Sequence, residues 1–348
     1  MQAWRRFPAY PAPSTGGIHS RGNVMSNLFK RMILAPVLAL ASLAGAAAHA
    51  AYPEKPVTLI VPWAAGGSTD ILARLLSEHL TQSMGQPFIV ENRSGASGNI
   101  GSAFVARAKP DGYTLLVGSM STHTMNQALF STMPFDGVED FTPIAELALV
   151  TNTMVVSTSV PANTLAEFVE YARANADKIA YASAGTGSTN HLSAAMFEKA
   201  LGIQMTHIPY RGGAPAVLDT AADRTQLFFS AGTQTLPHVK GGKLKLLAVT
   251  EAQRSPLLPD VPTVAESVPG YEMAVWYGAF GPKGMDPALV QRLNKEINAV
   301  LARADVVAKM EGMAVEVRQG TPEAFDKLLR ADAAKYGKLV KELGIQVE

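Results

Sequence analysis

Five short stretches of this sequence combine glycine with hydroxyl and amide side chains where an apolar run gives way to helical periodicity. They are AAGGSTD (64–70), SGASGNIG (94–101), GSMSTHT (118–124), SAGTGSTNH (183–191) and YRGGAP (210–215). A turn that leaves a buried strand and starts a helix presents backbone N–H groups with no intrahelical partner. Glycine lets a ligand approach that backbone, and the helix dipole favours negative charge there. The chemistry on offer is recognition of a small anion, most simply a carboxylate, by neutral donors. For one turn alone, helix capping explains the same residues: Ser68 or Thr69 serves as the cap, and Asp70 complements the dipole from the first helical turn. Recurrence favours a binding site, because turns at the carboxyl ends of strands are where open α/β sheets take their ligands.

Side chains near these turns extend the reading. Trp63 stands just before the first turn and Tyr210 opens the last, so each ring is placed to line a pocket as well as to fill a core. His191, just inside the helix after GTGSTN, reads either as a cleft residue or as part of the helix surface or cap. Arg211 could pair with an anion, although an exposed turn arginine leaves the same signature.

No spacing assembles a catalytic group. GTGSTN is no dinucleotide fingerprint, GGK (241–243) lacks the rest of a phosphate loop, and SGASGN narrowly misses the nucleophile-elbow pattern. Asp70 and Asp111 form no evident carboxylate pair. The seven histidines are scattered and cysteine is absent, which excludes thiol chemistry, thiolate metal sites and disulfides. No catalytic residue, metal or cofactor is expected.

The elements that must position the turns alternate along the chain. VTLIV (57–61), PFIVE (87–91), YTLLVG (113–118), TMVVS (153–157), KIAYASAG (178–185), MTHIPY (205–210), QLFFS (226–230) and LKLLAV (244–249) read as strands, and segments with three-to-four apolar spacing lie between most of them. Such alternation predicts an α/β fold with mainly parallel sheets flanked by helices, divided into two domains. After residues 272–284 the chain turns helical, with PALVQRLNKEINAVLAR and PEAFDKLLRADAAKYGKLVKELG each carrying proline near the start. Thr151-Asn152 and the Pro269-Gly270 turn are the expected crossings between domains.

Residues 1–50 read as an N-terminal extension and signal peptide. Lys30 and Arg31 precede the apolar run 32–48, and Ala48-His49-Ala50 has the form of a cleavage site; the same run reads otherwise as an uncleaved membrane anchor, against which Pro36, Gly45 and the closing alanines argue. Met25 would give the signal a conventional short basic region, so it competes with Met1 as the start. Removing residues 1–50 takes away Arg5, Arg6, Arg21, Lys30 and Arg31 and no acid, which turns a formal net charge of +1 into −4. That balance argues against a nucleic-acid partner.

VPWAAGGSTD, GASGNIG, KPDGYTLL, GTGSTNHL, HIPYRGGAPA and LPHVKGGKLKLLAVT, in this order and approximate spacing, resemble Bug-type periplasmic solute-binding proteins, the receptors of tripartite tricarboxylate transporters. The likeness runs from about Tyr52 to the C-terminus. It implies a two-domain, periplasmic-binding-protein (Venus-flytrap) fold, with residues 52–152 and 274–348 in the first domain and 153–273 in the second. It implies a small organic carboxylate bound between the domains for membrane-embedded transporter subunits, and the expected form is a monomer released from its signal peptide. By the same resemblance the ligand is held by Ala65, Gly67, Ser68 and Asp70 after the first strand and by Ser119 after the third. Thr186, Gly187, Ser188 and Asn190 approach from the second domain, with Tyr210 on the wall. Members often carry phenylalanine-aspartate at the end of the seventh strand, where this chain has Phe229-Ser230. An amino-acid ligand would lose a counter-charge for its ammonium there, so acids without one are expected. Two other readings use the same residues: a ligand sensor serving a signalling partner, and a periplasmic hydrolase or isomerase on the same architecture.

Overall fold

The computed structural model describes residues 8–12, 14 and 52–345. The expected signal segment and the alternative start at Met25 lie outside them. In chain order the strands are β1 (Val57–Val61), β2 (Phe88–Asn92), β3 (Thr114–Ser119), β4 (Phe141–Val150), β5 (Asn152–Ser157), β6 (Ala180–Ser183), β7 (Thr206–Pro209), β8 (Leu227–Ala231), β9 (Leu244–Val249), β10 (Val275–Pro282) and β11 (Val315–Val317). The helices are α1 (Ser68–Met84), α2 (Asn99–Ala106), α3 (Asn126–Leu129), α4 (Leu165–Asn175), α5 (Thr189–Leu201), α6 (Gly213–Ala221), α7 (Gly232–Lys240), α8 (Pro287–Leu301), α9 (Ala304–Glu311) and α10 (Pro322–Leu343).

Two sheets divide the strands: β11-β4-β10-β3-β1-β2 in the first lobe and β7-β6-β8-β5-β9 in the second. β1 is apolar except for Thr58 because β2 and β3 flank it in parallel and α1 packs on it. Helix α1 turns Leu72, Leu75, Leu76 and Leu80 inward and ends on Gly85, whose left-handed φ of 73° stops the helix. Pro287 and Pro322 open α8 and α10 behind the side-chain caps Asp286 and Thr321, as the sequence spacing predicts.

The two-lobed α/β architecture matches the sequence reading, but the sheets are mixed where mainly parallel pairing was expected. β10 runs antiparallel between β3 and β4, and β5 runs antiparallel between β8 and β9. The cause is the crossover: β4 leads out of the first sheet, Thr151 alone separates it from β5, and β10 brings the chain back in the reverse direction. β4 carries Pro143 opposite Phe280, beside a register shift between Ala279 and Phe280, which accommodates its missing N–H. β10 is buried along its whole length, and a Cβ on Gly278 would lie 2.2 Å from the Phe325 ring of α10. That glycine therefore lets the C-terminal helix seat on the first sheet.

The return from β9 to β10 is tied to the outward crossing. Thr250 N donates to Asn152 O, Met273 N donates to Thr250 O, and the Thr151 and Ser255 hydroxyls lie 2.8 Å apart. Glu251 is caught in this junction. Asn152 N donates to its Oε1 at 3.1 Å, whereas its buried Oε2 has no hydrogen-bond partner among the described residues. Burial pushes the carboxyl up to about 7, against the pull of neighbouring backbone N–H groups.

A carboxyl whose folded-state pKa lies above its unfolded value lowers stability as the pH rises from the unfolded pKa through the folded one. Glu251→Gln retains an acceptor for Asn152 and carries no charge. It is expected to match wild type near pH 4 and to be more stable by on the order of 2 kcal/mol near pH 8. Urea unfolding at both pH values checks this; an unchanged difference would contradict it.

Candidate functional site

Four helix N-termini converge on an inner cavity of about 30 Å³ between the sheets. α1 contributes Gly67, Ser68 and Thr69, α5 contributes Ser188, Thr189 and Asn190, α6 contributes Gly213, and α7 contributes Ala231 and Gln234. Trp63, Ser119, Ser121, Asn152, Ala184, Ser230, Val275 and Tyr277 complete the lining. Among the described residues, no Asp, Glu, Lys, Arg or His side chain lines it. The donors are first-turn backbone N–H groups, hydroxyls and amides, aligned with helix dipoles whose positive ends face inward. This arrangement suits a small anion.

Each turn is held by its own bonds. Asp70, which is almost fully buried, does not line the cavity. It accepts from Gly66 N at 2.9 Å, Arg74 Nε at 2.9 Å and Asn92 Nδ2 at 3.0 Å. Burial acts upward on its pKa, but these donors together hold the carboxyl below the usual aspartate value. After β6, the Ser188 hydroxyl donates to Gly185 O at 2.7 Å and caps α5 by accepting from His191 N. His191 lies under the turn, where its Nδ1 accepts from Gly187 N at 3.1 Å and its ring stacks on His207 with centroids 4.2 Å apart. Burial lowers it to about 3, so the ring is a neutral acceptor at ordinary pH.

After β3, residues Ser121–Met125 form a π-turn, a form of helix found frequently at functional sites. It sets Ser121 Oγ 3.0 Å from Ser119 Oγ on the cavity wall. Below it, His123 stacks on Phe280 at 3.9 Å and is lowered to about 3 by burial. Tyr277 is pushed up to about 12 by burial and keeps its proton.

The lobes are closed on each other. Ser68 Oγ donates to Gln234 Oε1 at 3.0 Å, Thr233 Oγ1 donates to Ser68 Oγ at 2.8 Å, and Ser97 Oγ donates to Thr186 O. Ala96 and Ser97 take left-handed φ values of 44° and 52° to make this approach, a conformation that costs energy in residues other than glycine.

Of the expected ligand residues, Trp63, Gly67, Ser68, Ser119, Ser188 and Asn190 meet around the inner cavity. Ala65 is exposed outside it, and Asp70 braces the turn instead of facing the cavity. Gly187 packs toward Leu129 and Phe130 of the first lobe. Thr186 and Tyr210 line an outer cavity of about 340 Å³, which also takes in Arg211 and shares Trp63 and Ala184 with the inner one. Tyr210 donates its hydroxyl to Asp219 Oδ2 at 2.8 Å. The sequence reading missed Asn152, Ser121, Tyr277 and Gln234 as lining residues. Gln234 had a signal, since SAGTQ (230–234) repeats the small-residue turn after a strand; Tyr277, on an unrecognised strand, had none.

Residues 72–345 match the family described as Tripartite tricarboxylate transporter family receptor. The chain belongs to that family. Among similar solved structures of Bug-type and related receptors, Rpa4515 of R. palustris, determined with adipate, has 37% identity and a TM-score of 0.82, covering 85% of this chain and 99% of its own. The periplasmic binding protein BugD has 37% identity and a TM-score of 0.82, covering 85% of this chain and 100% of its own. MatC from Rhodopseudomonas palustris, with bound malate, has 30% identity and a TM-score of 0.79, covering 83% of this chain and 100% of its own. The tripartite tricarboxylate transporter receptors to which the chain belongs are thus solute-binding proteins with the two-domain periplasmic-binding-protein fold. Among the described residues, no helix is long and apolar enough to cross a membrane.

Removing the Asp70 side chain would strand Gly66 N and take from Asn92 Nδ2 one of its two acceptors, leaving it Trp63 O. Asp70→Ala is expected to lose about 2 kcal/mol near neutral pH. Because the folded-state pKa is depressed, the loss is expected to shrink as the pH falls below the ordinary aspartate range. Guanidinium unfolding across pH checks both; a variant as stable as wild type near pH 7 would show that the brace is dispensable.

Proposed function

We propose that this receptor captures a small organic carboxylate in the inner cavity and delivers it to the membrane-embedded subunits of a tripartite transporter. The observation that carries the reading is the convergence of helix N-termini from both sheets on a cavity lined by neutral donors. The adipate and malate bound to similar proteins support this ligand class. In the proposed cycle, residues 52–152 with 274–348 and residues 153–273 act as the two closing bodies of a periplasmic monomer, exported behind a cleaved signal peptide. Closure joins the Ser68 and Gln234 sides of the site and so creates a surface that the open protein lacks. Its ligand leaves unaltered, and no catalytic step is proposed. Ser230, a neutral residue at the end of β8, supports acids without an ammonium group.

Native mass spectrometry after mild purification is expected to find one small acid per chain, and calorimetry with that acid gives its affinity. A Cβ on Gly67 would meet Ala64 O at 3.2 Å and lie 4.0 Å from Gln234 Nε2, so a longer side chain fills the cavity. Gly67→Leu is expected to weaken binding at least ~100-fold while the melting temperature moves by only a few degrees. Equal affinity in that variant, or conversion of the acid during incubation, would refute the reading.

A further inference from the structure

Gln234 stands apart from the other cavity residues. It is 9% exposed on the first turn of α7, and its Nε2 is buried without a partner among the described residues. Its Oε1 accepts from both lobes at once: from Ser68 Oγ at 3.0 Å and from Ser230 Oγ at 3.0 Å. Ser68 receives the Thr233 hydroxyl at 2.8 Å, so its own proton is directed to Gln234 Oε1. With both hydroxyls donating to the carbonyl oxygen, Nε2 is the end of the amide left free to donate. The amide is also held sterically, because a Cβ on Gly213 would fall 2.4 Å from Oε1 and 2.6 Å from Nε2. A buried N–H with no acceptor is costly and is satisfied when a ligand brings one.

Resting on the carboxylate reading of this cavity, we infer that Gln234 is a specificity-determining residue whose Nε2 donates to an oxygen of the bound acid. The amide presents a donor and no free acceptor, so it accepts a carboxylate, hydroxyl or carbonyl oxygen and disfavours an ammonium at the same place. Ser230 takes part by occupying the amide oxygen that would otherwise face such an ammonium. The selected class is therefore organic acids bearing oxygen, and not an amino group, at the position that meets Gln234.

The test uses two matched pairs of probes, malate with aspartate and adipate with 2-aminoadipate, measured by calorimetry on the full-length protein. Wild type is expected to bind at least one of the two acids at least ~10-fold more tightly than its amino partner. Gln234→Met, similar in length but unable to donate, is expected to lose at least ~10-fold in affinity for that acid. Gln234→Glu places acceptors where the donor stood and is expected to lower the acid-to-amino-acid ratio by at least ~10-fold, a change that mere loosening of the fold does not produce. Circular dichroism and thermal melts establish that the variants fold, and Ser230→Ala, which frees one side of Oε1, repeats the ratio measurement in a milder background. Acid affinity in Gln234→Met within about twofold of wild type, or an unchanged ratio in Gln234→Glu, overturns the role of Gln234 and leaves the carboxylate reading standing. Wild-type protein that binds none of the four probes overturns the inference; failure of every carboxylate, including any acid that copurifies, overturns the broader reading as well.

Discussion

On the proposed reading, holding an anion away from water with no cation beside it is the constraint around which this site is arranged. Burying an ionised carboxylate is expensive unless oriented donors replace its hydration. In the inner cavity those donors are neutral, so potential has to come from many small dipoles pointing the same way. That requirement explains why the turns carry so little side chain and why the nearby ionisable groups are held clear of the cavity. Asp70, the acid nearest the first turn, is neutralised by Arg74 and by hydrogen bonds on its far side. His123 and His191, buried beneath the turns, are held uncharged.

Dipoles act over short range, so the turns have to be placed accurately, and the rest of the fold supplies that placement. The β1–α1 turn is fixed by Asp70 and Asn92, the β6–α5 turn by the Ser188 cap and His191, and the β3 turn by a π-turn seated on an aromatic stack. Where the lobes touch, Gly212 leaves no room for a Cβ beside Ala64. The left-handed Ala96 and Ser97 store a little strain in the closed arrangement, while the Ser97 bond to Thr186 offsets it only as long as the cleft stays shut.

Much of this was readable from the sequence, for physical reasons that also set the limit. β1 is flanked by parallel neighbours, and VTLIV is legible as a strand for that reason, while LKLLAV is legible as the short apolar run of an antiparallel edge strand. β4 escaped notice because Pro143 and Glu146 break its apolar run, and β10 because Gly278 and Gly281 dilute it. Their antiparallel return is a property of the crossover, which no local pattern encodes. At the site, composition located the turns but not the destination of each side chain. Asp70 has the same one-letter context whether it faces a ligand or braces a loop, and only Gly66, Arg74 and Asn92 in three dimensions decide it. Thr186 and Tyr210 line the outer cavity, which meets the inner one at Trp63 and Ala184. Gln234 acquires its meaning from Ser68, which is 166 residues away.

The division of donors between lobes bears on how cargo departs. α1 supplies one part of the positive field, and α5, α6 and α7 supply the rest. Were the two halves to draw apart as proposed, each would retain an incomplete set, and water would fill the vacated directions around the anion one by one. In the proposed cycle, hand-over would then need no chemical trigger, no proton and no broken salt bridge, because opening alone would convert a tight grip into a loose one by geometry.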